Sequence, residues 1–213
     1  MGKPRSPKGR ARVAHERLAD DYEPICELDH RNAFELLVAT VLSAQSTDER
    51  INMTSPALFA RFPDPESMAV ADELELQELV RSTGFYKNKA KAISKLANAL
   101  VDDHGGEVPQ SMEELVKLPG VGRKTANLVR TVVFDQPGVV VDTHVKRLTH
   151  RLGLTDEDDP TKIEFAVNAL LPVAARGDFS LRLILHGRRV CFAKKPNCDD
   201  CSMNDFCPAA FEA

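Results

Sequence analysis

Lys124 and Asp142 are the two residues whose surroundings best suit covalent chemistry, and four cysteines near the end of the chain best suit a metal centre. Lys124 follows Leu118-Pro119-Gly120-Val121-Gly122-Arg123, a turn between two helical segments. Pro119 ends the first segment. Two glycines spaced by one residue allow backbone geometry closed to other residues and let a phosphate approach bare N–H groups. Those groups open the next helix, where unpaired donors and the helix dipole favour an anion. Val121 between the glycines pins the turn to the core. Such a turn grips a DNA backbone without reading sequence. A Gly-x-Gly alone favours an ordinary tight turn; Arg123-Lys124-Thr125-Ala126 directly after it shifts the reading to DNA.

A lysine in the first turn of a helix is poorly placed as an ammonium, because the helix start is already positive. Partial burial against a bound base pushes the same way, toward the neutral amine that acts as a nucleophile. A fully charged, phosphate-binding lysine is the competing reading, and position does not separate the two. Asp142, in Val141-Asp142-Thr143-His144, stands as the N-cap of a following helix and stays ionised there. A helix from Lys124 to Asp135 runs roughly 17 Å. The seven residues after it reach back at most about 20 Å, so Asp142 can return near Lys124 without being compelled to.

Cys191, Cys198, Cys201 and Cys207 follow C-x6-C-x2-C-x5-C. Four thiols in one short loop point to a metal centre; disulfides are not expected in the cytoplasm, the compartment expected for this chain. Zinc and a [4Fe–4S] cluster both accept four cysteines. The loop lacks the helix or hairpin usual between zinc pairs, which favours iron–sulfur. Lys194 and Lys195 lie between the first two cysteines and are candidates for phosphate contact if the centre holds the loop rigid. Cys26 is left over and is expected as a buried small hydrophobe.

The elements that must position these residues are helical. Asn32 with Glu35 opens a helix carrying Phe34, Leu37, Val38, Val41 and Leu42 on one stripe. Asp48 to Phe62 is helical but contains Pro56, so two pieces or a kink are expected. Asp72 to Val80 is a short acidic helix, Asn88 to Asp103 a longer one that stops at Gly105-Gly106, and Ser111 with Glu114 a capping box. Later helices are expected over 123–135, 143–152, 161–171 and 178–190, with Val139 to Val141 an extended approach to the third-last of them. Sustained alternation is absent, so the fold class is all-α.

The chain has 213 residues and a net charge of −4, which does not by itself announce a polyanion partner. The distribution is uneven. Asp64 to Glu78 holds only acids, whereas Arg123 to Arg151 and Arg182 to Lys195 are strongly basic. One basic face is compatible with DNA. No apolar run approaches a membrane span. Residues 1 to 12, with Lys3, Arg5, Lys8, Arg10 and Arg12, are expected to be a flexible basic tail.

Taken together, Leu42-Ser43-Ala44-Gln45-Ser46-Thr47-Asp48, the Leu118 to Ala126 turn, Val141-Asp142-Thr143-His144, Leu185-His186-Gly187-Arg188 and the cysteine loop resemble the endonuclease III family, in order, from about residue 28 to 207. The resemblance implies two lobes: a six-helix barrel lobe with a helix–hairpin–helix over 30–136, and an iron–sulfur lobe from 13–29 plus 137–213. It implies double-stranded DNA between them, with the damaged base rotated out of the duplex. Lys124 matches the family nucleophile at the sugar C1′ and Asp142 the assisting carboxylate, with β-elimination nicking the strand. Gln45 matches a residue that fills the gap left by the flipped base. Gly120, Val121, Gly122, Arg123, His144, Lys194 and Lys195 fall at DNA-contacting positions. Phe85 stands where an aliphatic residue is common, in a loop thought to probe the opposite strand. The four cysteines match the ligands of a [4Fe–4S] cluster. Oxidised pyrimidines and abasic sites are the substrates so implied, and a monomer the expected state. The rival readings are an adenine-excising relative, which lacks the lysine, a non-enzymatic DNA-binding module, and a zinc-ribbon regulator.

Overall fold

In a computed structural model of the chain, residues 3–212 are described, and among them are eleven α-helices, two short 3₁₀ turns and no strand. The helices are α1 (Pro7–Asp21), α2 (Ala33–Leu42), α3 (Asp48–Arg61), α4 (Pro65–Ala69), α5 (Glu73–Leu79), α6 (Tyr86–His104), α7 (Met112–Leu115), α8 (Arg123–Val132), α9 (Thr143–Arg151), α10 (Pro160–Leu170) and α11 (Arg176–Arg189). None is long and apolar enough to cross a membrane. The chain divides into two units, residues 26–134 and residues 1–25 with 135–213.

In the 26–134 unit, α2 is the central helix. Asn32 caps it by accepting the Glu35 N–H at 2.9 Å. Nine of its ten residues are buried, Phe34 to Leu42. Each buried Leu or Val removed from water contributes about 1.5–3 kcal/mol, which explains why the most apolar helix takes the centre. It packs on α6 and α8, while α4 and α5 cover α6. The α3 helix runs through Pro56 as one element, where two pieces or a kink were expected. The proline leaves the Asn52 carbonyl without its helix bond, a defect of about 3 kcal/mol. Buried Ile51, Leu58 and Phe59 on either side of it hold the helix together. The short α4 helix has no counterpart in the sequence expectations. Asp64 caps it by accepting the Ser67 N–H at 2.8 Å, with Pro65 as its first residue.

In the other unit, α1 replaces most of the expected flexible tail. Ser6 caps it, Pro7 occupies its first turn, and Ala11, Ala14 and Leu18 are fully buried. The correction therefore covers residues 7–12; residues 1 and 2 lie outside the described residues. Helix α1 joins a core of Val139, Val145, Leu148, Ile163, Val167, Phe179, Leu183, Met203 and Phe206. Val139 to Val141 are extended and buried, and the Val140 N–H donates to Ser180 Oγ at 3.1 Å. A buried extended segment thus has a side-chain partner where a strand would have a neighbour. Cys26 is half-buried rather than buried.

Candidate functional site

The two glycines of the Leu118 to Lys124 turn do different things. Gly120 has φ +79°, the left-handed region, and lies over Val41 of α2. Gly122 has φ −92° and ψ 175°, which any residue adopts, and a Cβ there would stand in open space. Its value is bareness rather than conformation. It caps α8 with no side-chain acceptor, whereas α1 to α5, α7, α9 and α10 all have one. Val121 is buried, as expected, and its N–H donates to the Leu118 carbonyl at 3.1 Å. Arg123 and exposed Lys124 are the first two residues of α8.

Two non-glycine residues of the same unit sit in left-handed backbone. Gln45 has φ 55° in the exposed turn after α2, and Phe85 has φ 47° just before α6. For a bulky side chain that conformation costs on the order of 1–3 kcal/mol and persists where its surroundings over-determine it. Around Phe85 the restraint is visible. The Lys89 ammonium, in a residue 5% exposed, donates to the Thr83 carbonyl at 2.6 Å, and the Lys89 N–H donates to the Phe85 carbonyl at 3.1 Å. Burial lowers the Lys89 pKa. The result is an aromatic ring 66% exposed on a pinned loop.

Asp142 caps α9: its Oδ1 accepts the Val145 N–H at 2.8 Å, which leaves its other oxygen outside that bond. His144, half-buried, lies against Gly187 of α11 so closely that a Cβ at 187 would stand 2.8 Å from His144 Cβ. Arg147 locks the two helices together. Its Nη2 donates to the Gly187 carbonyl at 2.9 Å and the Cys191 carbonyl at 2.8 Å, and lies 3.1 Å from His144 Nδ1. The start of the cysteine loop is therefore tied to the helix that Asp142 begins.

All four cysteines line one cleft. Among the described residues, no three His, Cys, Asp or Glu side chains are grouped to hold a single metal ion. A [4Fe–4S] cluster gives each cysteine its own iron. The donor set, four thiols on one cleft, fits that cluster. Burial pushes the Cys201 thiol up to about 11 and raises the Cys207 thiol as well; a bound cation deprotonates such thiols outright. Lys194 and Lys195 are exposed on the loop between the first two cysteines. Arg151 pins that loop by donating to the carbonyls of Phe192 at 2.7 Å and Ala193 at 2.9 Å.

Sequence reasoning assigned no role to the residues that support this loop. Arg151 Nη1 also donates to Cys191 Sγ at 3.2 Å. His186, 1% exposed and pushed by burial down to about 4, lies 3.3 Å from Cys201 Sγ and 3.2 Å from the Tyr22 hydroxyl. From α1, Arg17 bonds the Ser202 carbonyl and Asp205, and Asp21 accepts the Ser202 hydroxyl at 2.6 Å. Three arginines from the basic stretches also serve the protein itself: half-buried Arg147 and Arg151 and buried Arg182 each donate to backbone carbonyls. No pattern in the chain announces those partners.

Comparison with known proteins gives a consistent neighbourhood. Residues 38–172 match the family described as HhH-GPD superfamily base excision DNA repair protein, and residues 191–207, from the first to the last of the four cysteines, match the iron–sulfur binding domain of endonuclease III. Endonuclease III of Synechocystis sp. is 52% identical over 186 residues, covering 87% of this chain and 85% of that protein. Endonuclease III of Bacillus subtilis is 45% identical, with 85% and 84% covered. Among solved structures, a trapped endonuclease III–DNA covalent intermediate superimposes with a TM-score of 0.91 at 40% identity, covering 96% of this chain and 97% of that one. A non-covalent endonuclease III–DNA complex does so equally at 39% identity. A thermostable thymine-DNA glycosylase shares the fold at 21% identity and a TM-score of 0.85.

Proposed function

The chain belongs to the endonuclease III family of base-excision DNA repair glycosylase/AP lyases, and we propose that within it Lys124 is the nucleophile and Asp142 the carboxylate that assists. The Lys124 amine attacks C1′ of the damaged nucleotide. The bond from C1′ to the base breaks and the base departs; the C1′–O4′ bond then opens, O4′ takes a proton, and C1′ remains joined to Lys124 as a Schiff base. A proton is then lost from C2′ and the C3′–O bond breaks, nicking the strand on the 3′ side of the lesion. The observation that carries this reading is the exposed Lys124 at the start of α8, behind a glycine whose missing side chain bares the helix N-terminus. A phosphate held there sets the register of the strand.

Asp142 keeps one oxygen on the Val145 N–H. Its carboxylate serves to take the amine proton or to stabilise the cationic sugar. Gln45 and Phe85 enter the stack, Gln45 in the space of the extruded base and Phe85 toward the opposite strand. Both are exposed and held in left-handed backbone. Gly120, Val121, Gly122, Arg123, His144, Lys194 and Lys195 hold backbone. Cys191, Cys198, Cys201 and Cys207 are the ligands of the [4Fe–4S] cluster, which when bound cross-links the loop that presents Lys194 and Lys195. Oxidised pyrimidines and abasic sites in duplex DNA are the substrates, and one cytoplasmic copy of the chain acts alone.

Lys124→Ala and Asp142→Asn test the assignment against a duplex carrying thymine glycol. Lys124→Ala is expected to abolish borohydride-trapped complex while binding persists. Asp142→Asn is expected to slow base release with DNA affinity nearly intact. Trapping that survives Lys124→Ala moves the nucleophile elsewhere.

A further inference from the structure

We propose that a directed hydrogen-bond chain, from the Tyr22 hydroxyl to His186 Nδ1 and from His186 Nε2–H to Cys201 Sγ, sets the reduction potential of the iron–sulfur cluster. The geometry is one continuous line of contacts. The Tyr22 hydroxyl lies 3.2 Å from Nδ1, and Nε2 lies 3.3 Å from the Cys201 sulfur. The two rings meet edge to face, centroids 5.8 Å apart.

Chemistry fixes the direction of each bond. A cysteine bound to iron is a thiolate, with no hydrogen to give, so Cys201 can only accept and Nε2 must carry the proton. In the neutral tautomer that donates through Nε2, the ring's one N–H is on the sulfur and Nδ1 is left bare. Nδ1 is then the acceptor, and the Tyr22 hydroxyl must donate to it. Both bond dipoles point their positive ends toward the sulfur. Each also polarises the other, which strengthens the terminal N–H···S contact.

Tyr22 is held for this task. It ends α1, with its N–H on the Leu18 carbonyl at 3.0 Å and its own carbonyl accepting Arg182 Nε at 3.0 Å. The Arg189 guanidinium lies 5.7 Å from its ring centroid. The N-terminal helix thus reaches the cluster through a side chain more than 160 positions away in sequence from its partner. Hydrogen bonds to cluster sulfurs stabilise the more negative, reduced form and raise the potential. A donor on Cys201 therefore makes the resting cluster harder to oxidise. Of the four sulfurs, Cys201 receives its donor from a buried neutral ring, whereas Cys191 receives one from Arg151.

The test uses the iron-loaded protein and reads the cluster itself. Tyr22→Phe keeps the ring and removes only the hydroxyl; His186→Leu removes the donor. Potentials are measured by redox titration, and iron–thiolate stretches by resonance Raman spectroscopy in H₂O and D₂O. His186→Leu is expected to favour the oxidised cluster about tenfold, which is a fall of 59 mV for a one-electron couple. Tyr22→Phe is expected to fall in the same direction by less. Both should raise an iron–sulfur stretch and reduce its sensitivity to deuterium, with iron content unchanged in Tyr22→Phe. If His186→Leu fails to load iron, Tyr22→Phe decides alone. An unmoved or raised potential in Tyr22→Phe overturns the proposal, because a purely structural hydroxyl would leave the potential where it was.

Discussion

Replacing Gly187 by alanine should disable chemistry far more than it weakens DNA binding. The added Cβ would stand 2.8 Å from both His144 Cβ and His144 Nδ1, where ordinary contact begins at 3.4 Å. The shortfall is about 0.6 Å against an atom rooted in the backbone of α9, so α9 and α11 must separate by roughly that much. Overpacking of this kind costs about 1–3 kcal/mol. For a chain of this length each kcal/mol lowers Tm by about 2–4 °C, so a fall of several degrees is expected. Asp142 begins the displaced helix, two residues from the clash. A misplacement of 1 Å can cost about 10²-fold in rate, so a shift of half that predicts a loss on the order of tenfold in base release. The assay is single-turnover release of thymine glycol beside fluorescence anisotropy on undamaged duplex. Release should fall about tenfold, with a smaller loss of DNA affinity because only one of several backbone contacts, His144, is displaced. Full-rate release with an unchanged Tm would refute the reasoning, since the clash would then have been absorbed without moving α9.

Gly122→Ala should leave the fold unharmed, or stabilise it by about 0.4–1 kcal/mol, because its φ suits any residue and the Cβ meets nothing; DNA affinity should nevertheless drop, and unchanged affinity would remove this turn from the phosphate contact. Gly120→Ala, at φ +79°, should instead lower Tm. Joint replacement of Lys194 and Lys195 by alanine should reduce the slope of log affinity against log salt by up to about 1.8, from ~0.9 per phosphate contact, and an unaltered slope would place them off the DNA. His15, whose pKa burial and then Arg182 hold below 6.5, should make the folded chain less stable as pH falls through and below that value. The unfolded chain binds the proton there and the folded one does not. His15→Leu should flatten urea-denaturation stability between pH 7 and 5; an identical pH slope would show that other groups set it.

Much of this organisation was legible because it rests on local rules. The caps at Asn32, Ser111 and Asp142 are where side-chain pattern puts them, and each accepts its expected N–H. At Ser111 the pairing differs in detail: the hydroxyl also donates to Glu114 Oε2 at 2.7 Å. Helix α1 escaped because its buried face is small. Ala11, Ala14 and Leu18 make a thin stripe among five basic residues in the first twelve. Ser6-Pro7 was the signal that could have found it, a cap followed by proline at the first helical position. The role of its arginines was not readable at all. Arg10 forks onto the carbonyls of Leu152 and Gly153, more than 140 residues away, and no spacing rule relates them.

The same distance problem limits reading of the site. Gly120, Gly122, Lys124 and Asp142 draw attention through type and spacing. The supports of the cysteine loop do not: His186 reaches Cys201 across fifteen residues, and Arg147 reaches Cys191 across forty-four. Net basic stretches also mislead. A guanidinium that satisfies internal carbonyls looks, in sequence, the same as one that faces a phosphate. Strained backbone is likewise invisible beforehand, since nothing about Phe85 in the sequence requires a positive φ.

Locating the covalent bond tests the chemistry most directly. The protein is reacted with a thymine-glycol duplex under borohydride, digested, and the DNA-linked peptide is sequenced by tandem mass spectrometry. One reduced adduct on Lys124 is expected, at the head of α8. An adduct on any other amine, or release of base with no adduct at all, would contradict it.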